Sequence, residues 1–119
     1  MSQKILIVED EPNIIESLSF LMERAGLEVS HERDGANALA KIEANQPDLV
    51  ILDVMLPNRS GFDILRDIRK LPAPPKVLML TAKGQARDRQ AAEEIGVDCF
   101  MTKPFANAEI VQAVKDMLA

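Results

Sequence analysis

The sequence predicts an α/β domain with five parallel strands in the order 2-1-3-4-5 and helices on both faces of the sheet. The first observation is that short apolar runs of strand length alternate strictly with segments whose apolar residues recur at helical spacing. The second is that five units of this size suit an open, doubly wound sheet better than a closed barrel. Right-handed crossovers then place helices on both faces.

The central strand is the clearest element. Leu49–Leu52 is a run of apolar residues between Pro47 and Pro57, too short for a helix with a buried stripe and typical of a strand covered on both faces. The run ends on Asp53. A buried carboxylate needs partners, and this edge of an open α/β sheet is where ligands bind.

The first two units lie on one side of this strand in the predicted order. Ile5–Val8 is a buried strand, Pro12 suits the first turn of the next helix, and Gly26 suits its end. Leu27–Glu32 is a short strand near the sheet edge, and Asp34 opens the second helix. The predicted inward positions of these helices are Ile14, Ile15, Leu18, Leu21, Met22 and Ala25, then Ala38, Leu39 and Ile42.

The remaining units complete the sheet. Ser60 can cap a third helix of about ten residues, and Val77–Leu80 is a buried strand that ends on Thr81. Lys83–Ile95 is a weaker fourth helix, and Val97–Met101 is the fifth strand. The predicted inward residues are Ile64, Leu65 and Ile68, then Ala86, Ala91, Ala92 and Ile95, and finally Ile110, Val111, Val114, Met117 and Leu118.

Composition excludes several classes of protein. The 119 residues are 47% apolar and 28% charged, as in an ordinary globular domain. A net charge of −5 argues against a nucleic-acid-binding surface, and the single cysteine, Cys99, excludes a disulfide scaffold. No stretch approaches the length of a membrane span or resembles a signal peptide, so a cytoplasmic location without membrane contact is the default expectation.

Polar side chains follow four of the five predicted strands. Glu9 and Asp10 come after strand 1, Asp53 after strand 3, Thr81 after strand 4 and Lys103 after strand 5. Parallel strands end at the same edge of the sheet, so the topology itself predicts that these groups converge.

The converging groups suit a phosphoryl site. Three carboxylates at one edge demand a cation, and hard oxygen ligands suit Mg²⁺ better than zinc. Lys103 adds an ammonium donor for an oxyanion, and Thr81 adds a hydroxyl. A metal, an ammonium group and a hydroxyl around Asp53 would neutralise and position a phosphoryl group on that carboxylate.

These residues resemble the receiver domains of response regulators in bacterial two-component signalling, which have a flavodoxin-like fold. The motifs that carry the resemblance are Glu9–Glu11, Asp53 with Pro57 and Gly61, Thr81–Ala82 and Lys103–Phe105. Together they cover residues 1–119, in the order and at the spacing of the family. The resemblance implies a phosphorylation-dependent switch and not an enzyme beyond Mg²⁺-dependent self-phosphorylation and slow self-dephosphorylation.

The resemblance also implies a role for each site residue. Asp53 would accept a phosphoryl group from a sensor histidine kinase, a phosphotransfer protein or a small acyl phosphate. Mg²⁺ would be held by Asp10 and Asp53, by Glu9 through water, and by the backbone carbonyl of Met55. Lys103 would bind a phosphoryl oxygen.

The family's switch would act through two further residues. Thr81 would move to the phosphoryl group, and Phe100 would follow it inward. The Lys103–Pro104 peptide bond would be cis. The fourth helix, fifth strand and fifth helix would then present a changed surface to an output domain, a downstream partner or a second copy of the chain. Arg87–Arg89, on the fourth helix, is interpreted as a solvated helix face.

Three points depart from the commonest family pattern, and the third concerns a pair of positions. Glu9 stands where Asp is more frequent, and Phe100 stands where Tyr is frequent and lacks its hydroxyl. Met55 and Lys83 occupy positions that tune hydrolysis of the aspartyl phosphate. Because Met55 is apolar and cannot orient a water molecule, we predict a long-lived phosphorylated form.

Other functions remain alternatives at this stage. A flavodoxin-like electron carrier would share the fold, but the chain has no Trp or Tyr to stack on a flavin. An aspartyl-phosphate phosphatase commonly carries an Asp-x-Asp pair, whereas Val54 and Met55 follow Asp53. A pseudo-receiver would bind partners without phosphorylation. The chain ends at Ala119, after the fifth helix, so we expect no output domain: it is a single-domain regulator or a receiver cut from a longer protein.

Overall fold

The computed structural model describes residues 2–82 and 86–119. Within them, five parallel strands form one sheet in the order β2-β1-β3-β4-β5, so the predicted fold class and strand order are confirmed. The strands are β1 (Lys4–Val8), β2 (Glu28–Glu32), β3 (Leu49–Asp53), β4 (Lys76–Thr81) and β5 (Cys99–Thr102).

Helices connect the strands. They are α1 (Pro12–Arg24), α2 (Ala38–Asn45), α3 (Gly61–Arg69), α4 (Ala86–Ile95) and α5 (Asn107–Leu118), and a 3₁₀ turn, Gly35–Asn37, precedes α2. The predicted start of the fourth helix at Lys83 lies outside the described residues. None of the described helices has the length and apolar character needed to cross a bilayer.

The core has two layers, one on each face of the sheet. Alternate residues of a strand point to opposite faces, so Val50 and Leu52 pack with α2, α3 and α4, whereas Leu49 and Ile51 pack with α1 and α5. β3 is buried along its whole length. This double cover explains why its sequence is continuously apolar up to Asp53.

Local signals account for the helix boundaries. Pro12 occupies the first turn of α1, where its missing N–H leaves no helix acceptor unsatisfied. The backbone N–H of Asp63 donates to the hydroxyl oxygen of Ser60 at 3.2 Å and caps α3 as predicted. Gly26, with φ of +86°, follows α1 in a conformation that glycine adopts readily.

β2 and β5 begin later than predicted because the residues before them form the C-terminal caps of the preceding helices. The N–H of Leu27 donates to the Met22 carbonyl oxygen at 3.1 Å, so β2 begins one residue later than expected. The N–H of Val97 donates to the Ala92 carbonyl oxygen at 3.0 Å, after Gly96 with φ of +110°. β5 therefore begins at Cys99, two residues later than predicted.

The fourth helix packs even less apolar surface than predicted. Among its residues only Ala92 is fully buried, while Ala91 and Ile95 are half-buried. Ala86, predicted to face inward, is exposed. Leu39 on α2 is likewise half-buried, since the face centred on Ala38 and Ile42 meets the sheet.

Candidate functional site

Three carboxylates meet at the carboxyl edge of the sheet. Glu9 and Asp10 follow β1, Asp53 ends β3, and these two strands are hydrogen-bonded neighbours. One oxygen from each of the three side chains lies within 4.8 Å of the others. Glu9 is 1% exposed and Asp53 4%, so two of the charges are almost fully removed from water.

Lys103 lies among these carboxylates. Its Nζ is 2.7 Å from Glu9 Oε1, 3.4 Å from Asp53 Oδ2 and 4.0 Å from Glu11 Oε1. The backbone N–H of Lys103 donates to the carbonyl oxygen of Thr81 at 2.7 Å, which joins the ends of β4 and β5. The Lys103–Pro104 peptide bond is cis, as expected.

The electrostatics of the cluster follow from burial and crowding. Burial raises the pKa of Glu9 above its ordinary value, the negative charge of Asp53 raises it further, and the hydrogen bond from Lys103 only partly opposes this. For Lys103, burial alone would lower the pKa. The hydrogen bond to Glu9 and the charges of Asp53, Glu9 and Glu11 together outweigh burial and raise it.

The donor set fits a hard divalent cation. Three carboxylates and one ammonium group leave a formal charge of −2 at the cluster. Carboxylate oxygens are the ligands that Mg²⁺ prefers. Glu9 Oε1 already accepts from Lys103, and Oε2 accepts from the N–H groups of Asp10 at 3.0 Å and Glu11 at 3.2 Å. A contact from Glu9 to the metal through water fits these existing bonds.

The loop after β3 is held against Asp53 by backbone contacts. The N–H of Gly61 donates to the Val54 carbonyl oxygen at 2.9 Å, and a Cβ at Gly61 would overlap the carbonyl oxygen of Asp53. The Met55 N–H lies 3.4 Å from Asp53 Oδ1, and the Met55 side chain is 73% exposed. This loop fixes where the Met55 carbonyl lies relative to the carboxylates.

The same loop is tied to the start of the second helical unit. Asn58 Nδ2 donates to Asp34 Oδ1 at 2.9 Å, and Gly35 N–H donates to the Pro57 carbonyl oxygen at 3.0 Å. The hydrogen bond from Asn58 lowers the pKa of Asp34. A Cβ at Gly35 would overlap the carbonyl oxygen of Arg59, so this close approach requires glycine.

The two proposed switch residues are both buried. Thr81 ends β4 and is 3% exposed. Phe100 on β5 is 7% exposed and packs in the core layer that also contains Ala92. The predicted inward movement of Phe100 would therefore begin from a ring that is already buried. Lys83 lies outside the described residues.

Two contacts near the site were not predicted from the sequence. Arg33 donates to the backbone carbonyl oxygen of Asp10 at 3.2 Å and so supports the acidic turn. Arg89 is exposed, as predicted for a solvated helix face, but its guanidinium carbon also lies 5.0 Å from the centroid of the Phe100 ring. Its position three residues before Ala92, on the same side of α4, is the signal that could have revealed this contact.

The arrangement defines a class of protein. A carboxylate cluster with an adjacent lysine, at the switch point between β1 and β3 of a flavodoxin-like sheet, is the arrangement of a receiver domain. The chain belongs to the response regulator receiver domain family, whose model matches residues 5–115. It is therefore a receiver domain of two-component signalling systems.

Two curated relatives are transcriptional or regulatory proteins of bacteria. The chain is 42% identical over 118 residues to the alkaline phosphatase synthesis transcriptional regulatory protein PhoP of Bacillus subtilis, covering 99% of this chain and 49% of PhoP. It is 43% identical over 118 residues to the regulatory protein VanRc of Enterococcus gallinarum, covering 99% and 51%. The chain thus spans about half the length of the curated relatives it matches.

Solved structures show the same fold along the whole chain. A CheY-like response regulator receiver domain protein from Methanospirillum hungatei has a TM-score of 0.93 and 28% identity, covering 99% of this chain and 94% of that one. The BeF₃-activated N-terminal receiver domain of RstA from Klebsiella pneumoniae has a TM-score of 0.92 and 27% identity, covering 98% of both chains.

Proposed function

We propose that this domain is a phosphorylation-dependent signalling switch that accepts a phosphoryl group on Asp53 from a sensor histidine kinase, a phosphotransfer protein or a small acyl phosphate. The observation that carries the proposal is the position of Asp53, 4% exposed, at the end of β3 and 3.4 Å from the Lys103 ammonium group. A carboxylate buried this deeply needs a cation beside it to offset the cost of removing its charge from water.

The chain's own residues would perform the transfer by positioning and charge compensation. An oxygen of Asp53 attacks the phosphorus atom, and the donor's leaving group departs with the electron pair of the broken bond. Lys103 binds an oxygen of the transferred group, which requires its ammonium group to leave or share its hydrogen bond with Glu9. The Thr81 hydroxyl binds a second oxygen.

Mg²⁺ is the proposed cofactor. The ion would be held by Asp10, Asp53 and the backbone carbonyl of Met55, and by Glu9 through water. Bound there, the ion supplies positive charge that offsets the negative charge of the carboxylates and of the phosphoryl oxygens. The formal charge of −2 at the cluster supports this assignment, because one divalent cation balances it.

The output would pass through the surface formed by α4, β5 and α5. Thr81 and Phe100 connect the phosphoryl site to this surface, and α4 has few buried residues to hold it in one position. We propose that the surface binds an output domain or downstream partner, or a second copy of the phosphorylated chain. The domain would otherwise turn over no substrate, and its own dephosphorylation would be slow.

Intact-mass measurement tests the proposal directly. The chain is incubated with Mg²⁺ and acetyl phosphate, in parallel with Asp53→Asn and with Asp48→Asn, a matched change of an exposed aspartate at the opposite end of β3. We expect one phosphoryl adduct on the wild type and on Asp48→Asn, and none on Asp53→Asn or when EDTA replaces Mg²⁺. An equal yield on Asp53→Asn would overturn the site. No adduct on the wild type, with acetyl phosphate or a histidine kinase, would instead favour a pseudo-receiver.

A further inference from the structure

Arg33 reaches from the end of β2 to the acidic turn that follows β1. One terminal nitrogen of its guanidinium group donates to the backbone carbonyl oxygen of Asp10 at 3.2 Å. β2 is a hydrogen-bonded neighbour of β1, and the backbone N–H of Glu9 donates to the Glu32 carbonyl oxygen at 3.1 Å, so the two turns lie side by side. Arg33 therefore lies at the rim of the carboxylate cluster on its β2 side, whereas Lys103 reaches the cluster from the end of β5.

The guanidinium group of Arg33 keeps donors available for a ligand. The side chain is exposed, and the hydrogen bond to Asp10 uses only one of its N–H groups. Nearby carboxylates are engaged elsewhere: Glu32 accepts from the backbone N–H groups of Arg33 and Asp34, and Asp34 accepts from Asn58. Arg33 forms no ion pair with any other residue that the structure describes. A guanidinium group in this situation is well suited to bind phosphoryl or carboxyl oxygens.

The charge of the site explains why a further cation at the rim matters. The carboxylate cluster with Lys103 carries a formal charge of −2, so one divalent cation bound there would only balance it. The exposed carboxylate of Glu11, 4.0 Å from the Lys103 ammonium group, adds negative charge nearby. A phosphoryl donor is itself an anion, and such surroundings exert no net attraction on it. Arg33 supplies positive charge on the β2 side, where no described carboxylate pairs with it.

We propose that Arg33 binds the phosphoryl donor at the rim of the carboxylate cluster, and that it does so chiefly for small acyl phosphates. This inference rests on the proposed function, in which Asp53 accepts the phosphoryl group. A phosphorylated protein is held by its own contacts with the domain, whereas a small donor has only the charges around the site to hold it. Arg33 contacts oxygens of the donor before transfer and leaves the attack by Asp53 unchanged. It is therefore a donor-binding residue that raises the rate by retaining the donor.

The rate of adduct formation tests this assignment. Intact mass gives the second-order rate constant for phosphorylation by acetyl phosphate in saturating Mg²⁺. We expect Arg33→Gln to lower this rate constant about 3- to 5-fold, the upper end of the effect of losing an exposed ion pair, and Arg33→Lys to keep most of it. Added salt should reduce the difference between the wild type and Arg33→Gln, because salt screens exposed charges. Arg24→Gln is the matched control, since it removes the same charge at the far end of α1 and should leave the rate constant unchanged.

Two further measurements separate donor binding from a purely structural role, in which the hydrogen bond of Arg33 only orients Asp10. The first is Mg²⁺ affinity, obtained by amide NMR titration of the unphosphorylated chain, which should be at least as high in Arg33→Gln as in the wild type. The second is the rate constant with phosphoramidate, a donor with less negative charge than acetyl phosphate. We expect Arg33→Gln to slow this donor less than it slows acetyl phosphate.

Each contrary result has a separate meaning. An unchanged rate constant with acetyl phosphate in Arg33→Gln would overturn donor binding by Arg33 and leave the proposed function intact. The same would follow from an equal loss with both donors, or from a matching loss of Mg²⁺ affinity. Failure of the wild type to form an adduct on Asp53 with either donor would instead overturn the proposed function, and this inference with it.

Discussion

Lys103 Nζ lies 2.7 Å from Glu9 Oε1, and the two side chains are only 10% and 2% exposed. Lys103 is thus the cation that makes an otherwise repulsive carboxylate cluster tolerable in the folded chain. The same ammonium group is the one that a phosphoryl oxygen on Asp53 would recruit. The ion pair would therefore link the stability of the domain to the proposed phosphoryl transfer.

Replacing Lys103 should reveal this link. Lys103→Met leaves the carboxylates of Glu9, Asp10 and Asp53 without their ammonium partner, and we expect a loss of about 3 kcal/mol in the free energy of unfolding without divalent cations. Added Mg²⁺ should raise the unfolding midpoint of Lys103→Met more than that of the wild type. Urea titrations with EDTA or Mg²⁺ measure both effects. The exposed Lys70→Met is the control, and an equal loss in both variants would contradict the prediction.

The raised pKa of Glu9 predicts a pH-dependent stability. The folded chain holds the proton of the Glu9 carboxyl group more tightly than the unfolded chain does, so protonation of Glu9 stabilises the fold at low pH. That stabilisation is lost as the pH rises from 4.5, the ordinary pKa, through the raised pKa of the folded chain. In EDTA, Glu9→Gln should therefore gain stability relative to the wild type as the pH rises. Urea unfolding at several pH values measures the difference. The free energy of unfolding of the exposed Glu16→Gln should differ from that of the wild type by the same amount at every pH. The same pH-independent difference for Glu9→Gln would refute the raised pKa of Glu9.

The sequence predicts that polar side chains meet at the carboxyl edge of the sheet better than it predicts which contacts these side chains make there. Asp10, Asp53 and Lys103 could be placed together because parallel strands end at one edge, whatever their side chains are. That Glu9 pairs directly with Lys103, 94 residues away, depends on side-chain packing that no local pattern encodes. The contact of Arg89 with Phe100 was not predicted for the same reason, since helical spacing gives the face of a residue but not its partner.

The Asp34–Asn58 hydrogen bond should be visible as a pKa change. Asn58→Gly removes the amide donor but suits the backbone φ of +69°, so the loop conformation is retained. We expect the pKa of Asp34 to rise toward its ordinary 3.8, because the largest cause of its lowering is this hydrogen bond. Carboxyl-carbon NMR titration measures it. Asn45→Gly, whose amide bonds Ser30 instead, should leave the pKa of Asp34 unchanged, and an unaltered value in Asn58→Gly would show that the bond is not formed in solution.

Gly61 should tolerate no side chain. A Cβ there would overlap the Asp53 carbonyl oxygen and lie 2.8 Å from the Val54 Cα, and neither backbone atom can move without displacing Asp53. We expect Gly61→Ala to lower the free energy of unfolding by about 3 kcal/mol and to slow adduct formation on Asp53. Gly26→Ala is the control: it meets nothing within 4 Å but has a φ of +86°, so strain alone should reduce stability by only about 1 kcal/mol. Similar losses would argue against the steric explanation.

The exposed side chain of Met55 should determine how long a phosphoryl group stays on Asp53. Hydrolysis needs a water molecule held in line with the phosphorus atom, and a thioether is too weak an acceptor to hold one. Met55 lies two residues after Asp53 and is 73% exposed, so replacing its side chain does not disturb the core. We expect Met55→Asn, whose amide can orient water, to shorten the lifetime of the phosphorylated form about 5-fold or more. Met55→Leu should leave the lifetime unchanged. Decay of the adduct is followed by intact mass after acetyl phosphate is removed. Loss of phosphate from the wild type within seconds, or equal lifetimes for Met55→Asn and Met55→Leu, would show that water is oriented by another group.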